Sequence, residues 1–314
     1  MTNKNSLNVQ HSYQRSGLLM MLLGTICFSA KAIFVKLAYG YQIDAVTLMT
    51  LRMGISLPFY LVIGFFVLRG NAVSRLTLVD HLKIIGFGVA GYYLASLFDL
   101  TGLQYITAGF ERLILFLYPT IVLLISALLL KRRILMREMI ALVLGYLGIL
   151  VVYLNDVQLS GDDVTIGMLW VLGSAVTFAI YIVGSGQMFS KISSMGFTVY
   201  AMSAASIAIL VHFGLTRPIQ NLQVVPELWT IATIIAVACT VIPTFLMAEG
   251  IKRIGAPKAA LVGSVGPAFT AIFAYFILGE VYTWVHFIGM LLVLSAVLTI
   301  GRKKQETNNN GRRD

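Results

Sequence analysis

Residues Tyr105–Arg133, YITAGFERLILFLYPTIVLLISALLLKRR, decide the fold. The run is apolar and long enough to cross a bilayer as a helix, for which about 20 residues suffice. Yet it carries Glu111 and Arg112 side by side, has Pro119 at its middle, and stops at Lys131-Arg132-Arg133. An ionisable side chain inside a span costs about 2.5–3.5 kcal/mol on insertion scales, so it is expected to face a partner or a water-filled cavity. A mid-span proline leaves a carbonyl for a neighbour to satisfy. The same plan returns 148 residues later as RIGAPKAALVGSVGPAFTAIFAYFILGE, Arg253–Glu280, with Pro267 in register with Pro119. There Ala259 and Ala260 stand where Glu111 and Arg112 stood.

Working outward, the 314 residues are 58% hydrophobic and only 11% charged, which excludes a soluble globular chain, where about a quarter of residues are charged. The apolar residues fall in ten runs: Gly17–Ala38, Ala45–Leu68, Leu82–Leu103, Ile106–Leu130, Met136–Tyr153, Ile166–Gln187, Gly196–Leu215, Leu228–Gly250, Ala256–Leu278 and Thr283–Gly301. The expected fold class is therefore an all-α integral membrane protein with ten transmembrane helices. The formal charge of +10 does not imply nucleic acid, because the basic residues are scattered through short loops and the C-terminal tail. Cys27 and Cys239 both fall inside apolar runs and suggest packing rather than a disulfide framework.

The loop charges set an orientation. With the N-terminus in the cytoplasm, inside segments hold eighteen cations: Lys4, Arg15, Arg69, Arg75, Lys83, Lys131, Arg132, Arg133, Arg137, Lys191, Lys252, Arg253, Lys258, Arg302, Lys303, Lys304, Arg312 and Arg313. The outside segments hold one, Arg217, and also Asp156, Asp162 and Asp163. By the positive-inside rule both ends are cytoplasmic and the protein is a multi-pass plasma-membrane protein. Trp170, Trp229 and Trp284 fall near span starts, where interfacial aromatic anchors belong.

The two halves also match beyond the proline pair. Thr101-Gly102-Leu103-Gln104-Tyr105 aligns with Glu249-Gly250-Ile251-Lys252-Arg253, Ala141 and Gly148 with Gly289 and Ala296, Gly17 with Gly167, and Phe28 with Phe178. Five spans per copy is an odd number, so the copies, 17–153 and 166–301, are expected to sit upside down relative to each other around an outside linker, 154–165. Residues 1–16 and 302–314 are read as cytoplasmic tails. Inverted repeats are a common architecture of secondary transporters.

Phe28 through Lys36, Arg52, the stretch GLQYITAGFERLILFLYP (Gly102–Pro119), and the pattern from Pro267 to Gly279-Glu280 resemble the drug/metabolite transporter (DMT) superfamily, specifically its EamA-type two-repeat members. The resemblance covers residues 17–301; where the second copy has Gly279-Glu280 the first has Lys131-Arg132. It implies ten spans, cytoplasmic ends, and export or exchange of small metabolites across the bilayer. It names no particular substrate.

The intramembrane charges are the candidate machinery. Lys31 lies near the middle of span one, while Lys36, Arg52, Asp99, Glu111 and Arg112 lie in the outer halves of their spans. Helical spacing puts Tyr92, Ser96 and Asp99 on one face, and Glu111 and Tyr118 on another. In one reading these line a vestibule, with Lys31 or Arg52 holding an anionic group while Asp99 or Glu111 binds a proton or an ammonium group. In the other, Asp99, Glu111, Arg112 and Arg52 pair off to pin helices together. Lys31, the deepest, faces either the pathway or a structural acid such as Asp99 or Glu111; Lys36 reaches to the outer interface. The second half offers uncharged candidates, Tyr181, Tyr200 and Thr244 among them. Pro119, Pro243 and Pro267 are expected kinks. Glu249, beside Lys252 and Arg253, and Glu280 suit gates or interfacial ion pairs, and His212 and His286 suit the interface rather than a metal.

No His-Glu-x-x-His run and no Gly-x4-Gly-Lys-Ser/Thr phosphate loop is present, so neither a zinc enzyme of that class nor a nucleotide-driven pump is expected. No cofactor and no metal is expected, and the chain is not read as an enzyme. The expected function is a secondary transporter of small polar metabolites or amino-acid-like compounds, with protons as a candidate coupling ion. The alternatives are a non-transporting scaffold or sensor and, further off, an intramembrane enzyme.

Overall fold

The computed structural model describes residues 2–68, 76–129, 131, 133–189, 191–254, 259 and 262–301. Arg69, Arg75, Arg132, Lys258, Ala260 and the tail from Arg302 to Arg313 lie outside the described residues. Among the described residues the regular structure is helical throughout, with no strand. Eight helices are long and apolar enough to cross a membrane: α1 (Tyr13–Tyr39), α2 (Ala45–Val67), α3 (Leu78–Gly102), α4 (Ala108–Leu129), α5 (Met136–Gln158), α6 (Asp163–Met188), α7 (Ser194–Thr216) and α8 (Pro226–Ile254). Two shorter apolar helices follow, α9 (Gly266–Leu278) and α10 (Trp284–Thr299).

Polar residues set the starts. Asp44 accepts from the amides of Val46 and Thr47 and so caps α2, Thr77 and Asp80 form a capping box on α3, Thr107 caps α4, and Ser193 caps α7. Burial pushes the Asp44 carboxyl up, but the Thr47 hydroxyl and amide and the nearby Arg217 outweigh it, so its pKa lies below the ordinary value. Arg217, the lone cation expected outside, stands 3.4 Å from Asp44 and ties the end of α7 to the start of α2. The expected linker 154–165 is mostly helix: Met136–Ser160 and Asp163–Met188 leave only Gly161, at φ 85°, and Asp162 between them.

The helices pair α1 with α8, α2 with α7, α3 with α6, and α5 with α10, while α4 packs chiefly on α6 and also touches α9. Glycines in the aligned positions mark three of these crossings. A methyl on Gly102 of α3 would stand 2.8 Å from the Gly167 carbonyl of α6, and one on Gly250 of α8 would stand 3.1 Å from the Gly17 carbonyl of α1. Gly148 and Gly289 meet in the same way, each 2.8 Å from the other's carbonyl, and set the α5–α10 approach. Small residues let backbones come this close, which matters where lipid removes the hydrophobic drive between helices.

Interruptions of the helices recur at the same 148-residue spacing. A π-helical turn spans Val89–Leu94 in α3 and another spans Val237–Val241 in α8. The Thr240 hydroxyl donates to the Ile235 carbonyl, five residues back, at 2.8 Å. Turns fall at Phe116–Leu117 in the fourth helix and at Ser264–Val265 ahead of α9. Pro119 and Pro267 follow these interruptions by two or three residues. They occupy the first turn of new segments, Tyr118–Leu129 and Gly266–Phe273, where a missing N–H has no intrahelical partner to lose. Pro243 likewise follows its π turn, as the second residue of Ile242–Ile254. The match is incomplete: α1 turns at Ala30 whereas α6 runs unbroken, and a π turn at Ala274–Leu278 in α9 has no counterpart in Tyr118–Leu129.

The glycine crossing between α5 and α10 has a direct test. Gly148→Leu overpacks it and is expected to cost about 1–3 kcal/mol, lowering the thermal midpoint of the purified protein, whereas Leu147→Ala on the exposed face of α5 leaves it nearly unchanged. Equal midpoints for the two variants would contradict the described packing.

Candidate functional site

Four helices of the first half converge on one buried cluster. Lys31 Nζ, just past the turn in α1, lies 2.6 Å from Asp99 Oδ2 on α3, with both side chains buried. Arg52 of α2 donates through Nη2 to Ser96 Oγ at 2.9 Å, one helical turn before Asp99, and lies in the field of the Asp99 carboxylate. The Asp99 and Glu111 carboxyls adjoin each other. Arg112 does not form a hydrogen-bonded pair with Glu111: Nε stands 3.8 Å from Oε2, beyond hydrogen-bond range, because adjacent residues point about 100° apart on a helix. Its Nη2 instead donates to the Phe28 carbonyl at 3.2 Å.

The turn in α1 is held by its neighbours. Ser29 Oγ donates to the Thr25 and Gly266 carbonyls at 2.7 and 3.1 Å, and Thr270 Oγ1 donates to the Ser29 carbonyl at 3.1 Å. The break of α1 thus meets the start of α9, which seats Lys31 at the centre of the bundle.

The cluster's polar capacity is only partly met. Arg52 Nε, Arg112 Nε, Tyr60 Oη, Asp99 Oδ1 and both Glu111 oxygens are buried without a hydrogen-bond partner. Each such group is costly to leave unsatisfied, by about 1–3 kcal/mol and more for charged groups. Native proteins keep few, and they call for a water, a ligand or a second state to complete them.

Lys31, Arg52, Ser96, Asp99, Glu111 and Arg112 are therefore brought together, and Lys31 faces a carboxylate. Of the other candidates, Thr244 borders the cluster beside Tyr60 and the rest fall elsewhere. Tyr118 packs edge-on against Phe178, which stacks on Tyr181, and the Tyr181 hydroxyl meets Tyr92 at 3.0 Å. Tyr200 bonds His81 at 2.9 Å, and Thr244 donates to the Thr240 carbonyl at 2.7 Å. Glu249 pairs with Arg253 at 2.8 Å along α8, and Arg253 reaches Ser16 of α1. Lys191 and Asp80 form a further ion pair at 2.7 Å, tying the α6–α7 connection to α3.

At the opposite end, Glu280 is neither half of a close ion pair nor free. Its carboxylate accepts from the Ala108 amide at 2.7 Å and the Gly109 amide at 3.3 Å, capping α4 from the second half of the chain. The Tyr282 hydroxyl adds a third donor at 2.9 Å; burial, and then the Glu280 charge, keep that hydroxyl protonated well above its ordinary pKa. Lys36, Thr107, Asp156 and Glu280 line a cavity of about 370 Å³ here. Lys36 thus borders a partly open cleft beside Glu280. His286 is not interfacial: it is buried, with Nε2 2.9 Å from Asp156. Among the described residues no group of three candidate ligands is placed to hold a metal.

Two members of the cluster escape sequence reasoning. Tyr60 is fully buried beneath Arg52 but is one tyrosine among many in apolar runs. Phe28 stands out in sequence as the repeat partner of Phe178 and the start of the family-like stretch, not as a site residue, yet Lys31 and Arg112 both lie over its ring. Its position seven residues after Met21 and four after Gly24, on the inward arc of α1, was the available signal.

The Glu280 cap carries a stability prediction. Glu280→Ala is expected to lower stability by about 0.5–2 kcal/mol, as lost helix caps do, and Glu280→Gln, which retains an acceptor, to recover most of it. A midpoint unmoved by Glu280→Ala would remove the carboxylate from its assigned role.

The EamA-like transporter family model matches residues 15–154 and again residues 165–302. The chain is similar to the uncharacterized transporter YcbK of Bacillus subtilis (strain 168), 30% identical over 301 residues that cover 93% of this chain and 95% of that protein. It is similar to an uncharacterized transporter of Archaeoglobus fulgidus, 25% identical over 92% of this chain and 97% of the relative. It also resembles the uncharacterized inner membrane transporter YicL of Salmonella typhimurium, 24% identical over 70% and 73%. A solved crystal structure superposes with a TM-score of 0.62 over 91% of this chain and 97% of its own, at 17% identity, which speaks to the fold alone. With two successive family matches spanning nearly its whole length and eight helices able to cross a bilayer, the chain is a multi-span membrane protein and belongs to the EamA-like transporter family.

Proposed function

We propose that the protein is a secondary transporter that exports or exchanges small polar or amino-acid-like metabolites. It works by alternating access between two inverted five-helix repeats that meet at Gly161 and Asp162. On this reading all ten apolar helices cross the cytoplasmic membrane, with both tails inside. The observation that carries it is the buried cluster of Lys31, Arg52, Asp99, Glu111 and Arg112, with unpartnered polar atoms, in an apolar bundle. A scaffold needs no such group; a pathway does. Support for the repeats comes from the matched glycine crossings, π turns and helix breaks, each displaced by about the same length of chain. Rocking of one repeat against the other moves the site between the two sides.

The Lys31–Asp99 pair separates a working site from a strut. Lys31→Ala alone strands a buried carboxylate, which costs about 3–5 kcal/mol, so loss of transport in that variant has two explanations. The double variant Lys31→Gln/Asp99→Asn removes the charges while keeping hydrogen-bonding groups. We expect it to fold near wild type and to transport nothing, measured by mass spectrometry of a polar-metabolite mixture released from proteoliposomes. Wild-type flux in the double variant would make the pair a strut. No flux above protein-free liposomes in the unmodified protein would sink the transporter reading itself.

Coupling to protons is assigned to the adjoining Asp99 and Glu111 carboxyls, the one place where a proton can pass between neighbouring acids of the cluster. An imposed pH gradient is expected to drive accumulation in wild-type proteoliposomes and to leave Glu111→Gln at simple equilibration. Accumulation in Glu111→Gln equal to wild type would exclude this assignment.

A further inference from the structure

Successive residues of a helix turn by about 100°, so α1 has a definable inward arc. Leu19 and Leu23, 58% and 52% exposed, mark its outer side. Gly17, Met21, Gly24 and Lys31 fall on the opposite side and are buried. Phe28 lies in the middle of that buried arc, nearly opposite Leu19, and yet is 39% exposed. An aromatic ring exposed on the protein-facing side of a helix borders an internal space. Lys31 Nζ lies 5.5 Å and Arg112 Cζ 5.1 Å from its centroid, so the space opens beside two cations.

The charges of the site do not balance. Lys31, Arg52 and Arg112 bring three positive charges against the carboxyls of Asp99 and Glu111, leaving one in excess when both acids are ionised and two when they share a proton. An uncompensated buried charge is strongly unfavourable, so the site is completed by an anion. Lys31 and Arg112, the two cations beside the exposed Phe28 ring, supply the donors. The unpartnered oxygens of Asp99 and Glu111 point to a cationic ligand instead, but those two carboxyls adjoin and can satisfy one another through a shared proton. A ligand ammonium would also approach a ring that already carries two cations and would be repelled by both.

We propose that Phe28 is a specificity-determining wall of the substrate site, and that the site takes organic anions bearing an apolar or aromatic part. The anionic group turns to Arg112 and Lys31, and the apolar part lies along the open edge of the Phe28 ring. This deepens the transporter reading and rests on it.

Charge and access at position 28 can be read without knowing the substrate. Phe28→Cys in a Cys27→Ser/Cys239→Ser background is treated with an anionic sulfonatoethyl and a cationic trimethylammonioethyl methanethiosulfonate. The expected result is modification by both, several-fold faster by the anionic reagent. Labelling by neither, or equal or faster labelling by the cationic reagent, overturns the proposal. A measurement on the unmodified protein guards against a variant that does not fold. Benzoate is expected to raise the thermal midpoint where benzamide and benzylammonium at equal concentration do not, and Phe28→Ala to abolish the shift. No shift with benzoate, or an equal shift with benzylammonium, overturns it. Anion-selective labelling in a protein that moves no metabolite would refute transport and keep the site. Transport without anion preference would refute the site and keep transport.

Discussion

The structure depends on one constraint: five ionisable side chains, drawn from four helices, must stay buried together in a largely apolar bundle. The Lys31–Asp99 contact is its keystone. It joins the first helix to the third at 2.6 Å, and the remaining charges are arranged around it. Burying an ion pair is expensive, and the fold meets that cost with local devices. The first helix turns at Ala30 so that Lys31 points inward, and the hydroxyls of Ser29 and Thr270 occupy the carbonyls around the turn. What these devices leave unsatisfied, chiefly at Glu111, Arg52 and Arg112, marks where the resting structure is incomplete.

Architecture and chemistry are distributed differently between the halves. Glycine crossings, π turns and helix breaks occur in both, at matched positions. The buried cluster comes from the first half alone, with Ala259 standing where Glu111 stands in the other copy. The second half contributes backbone and caps: Gly266 receives Ser29, and Glu280 holds the amides of Ala108 and Gly109. Glu280 thereby links the second half to the helix that carries Glu111 and Arg112. An architecture that is near-symmetric suits a rocking motion, while a one-sided charge set gives a single site for it to act on.

Much of this was legible in the chain. The apolar runs announced themselves because hydropathy is a local property, and eight of them recur as helices able to span a bilayer with ends within a few residues of expectation. Gly17, Gly102, Gly148, Gly167, Gly250 and Gly289 were visible as alignment points and proved to be contacts, since close approach is what a glycine in a membrane helix permits. The prolines gave only an approximate position: the interruptions themselves fall at 116–117 and 264–265, two or three residues ahead of Pro119 and Pro267. Charge pairing was out of reach for a simple reason: helical spacing gives the face a residue occupies, not the face it meets. Lys31 to Asp99, Asp156 to His286 and Glu280 to the α4 amides all cross between distant segments. Phe28 was hidden because its role lies in its neighbours.

The central claim is that the two halves rock around the buried cluster. Spin-label distances test it most directly, with one pair at Tyr41 and Val281, near Glu280, and another at Leu78 and Phe189, near the Asp80–Lys191 ion pair; all four positions are exposed. The account predicts two populated distances for each pair. Release of the Glu280 cap by Glu280→Ala should lengthen the first pair and shorten the second. A single distance for each pair, unchanged by that substitution, would contradict alternating access and leave the cluster as a structural knot.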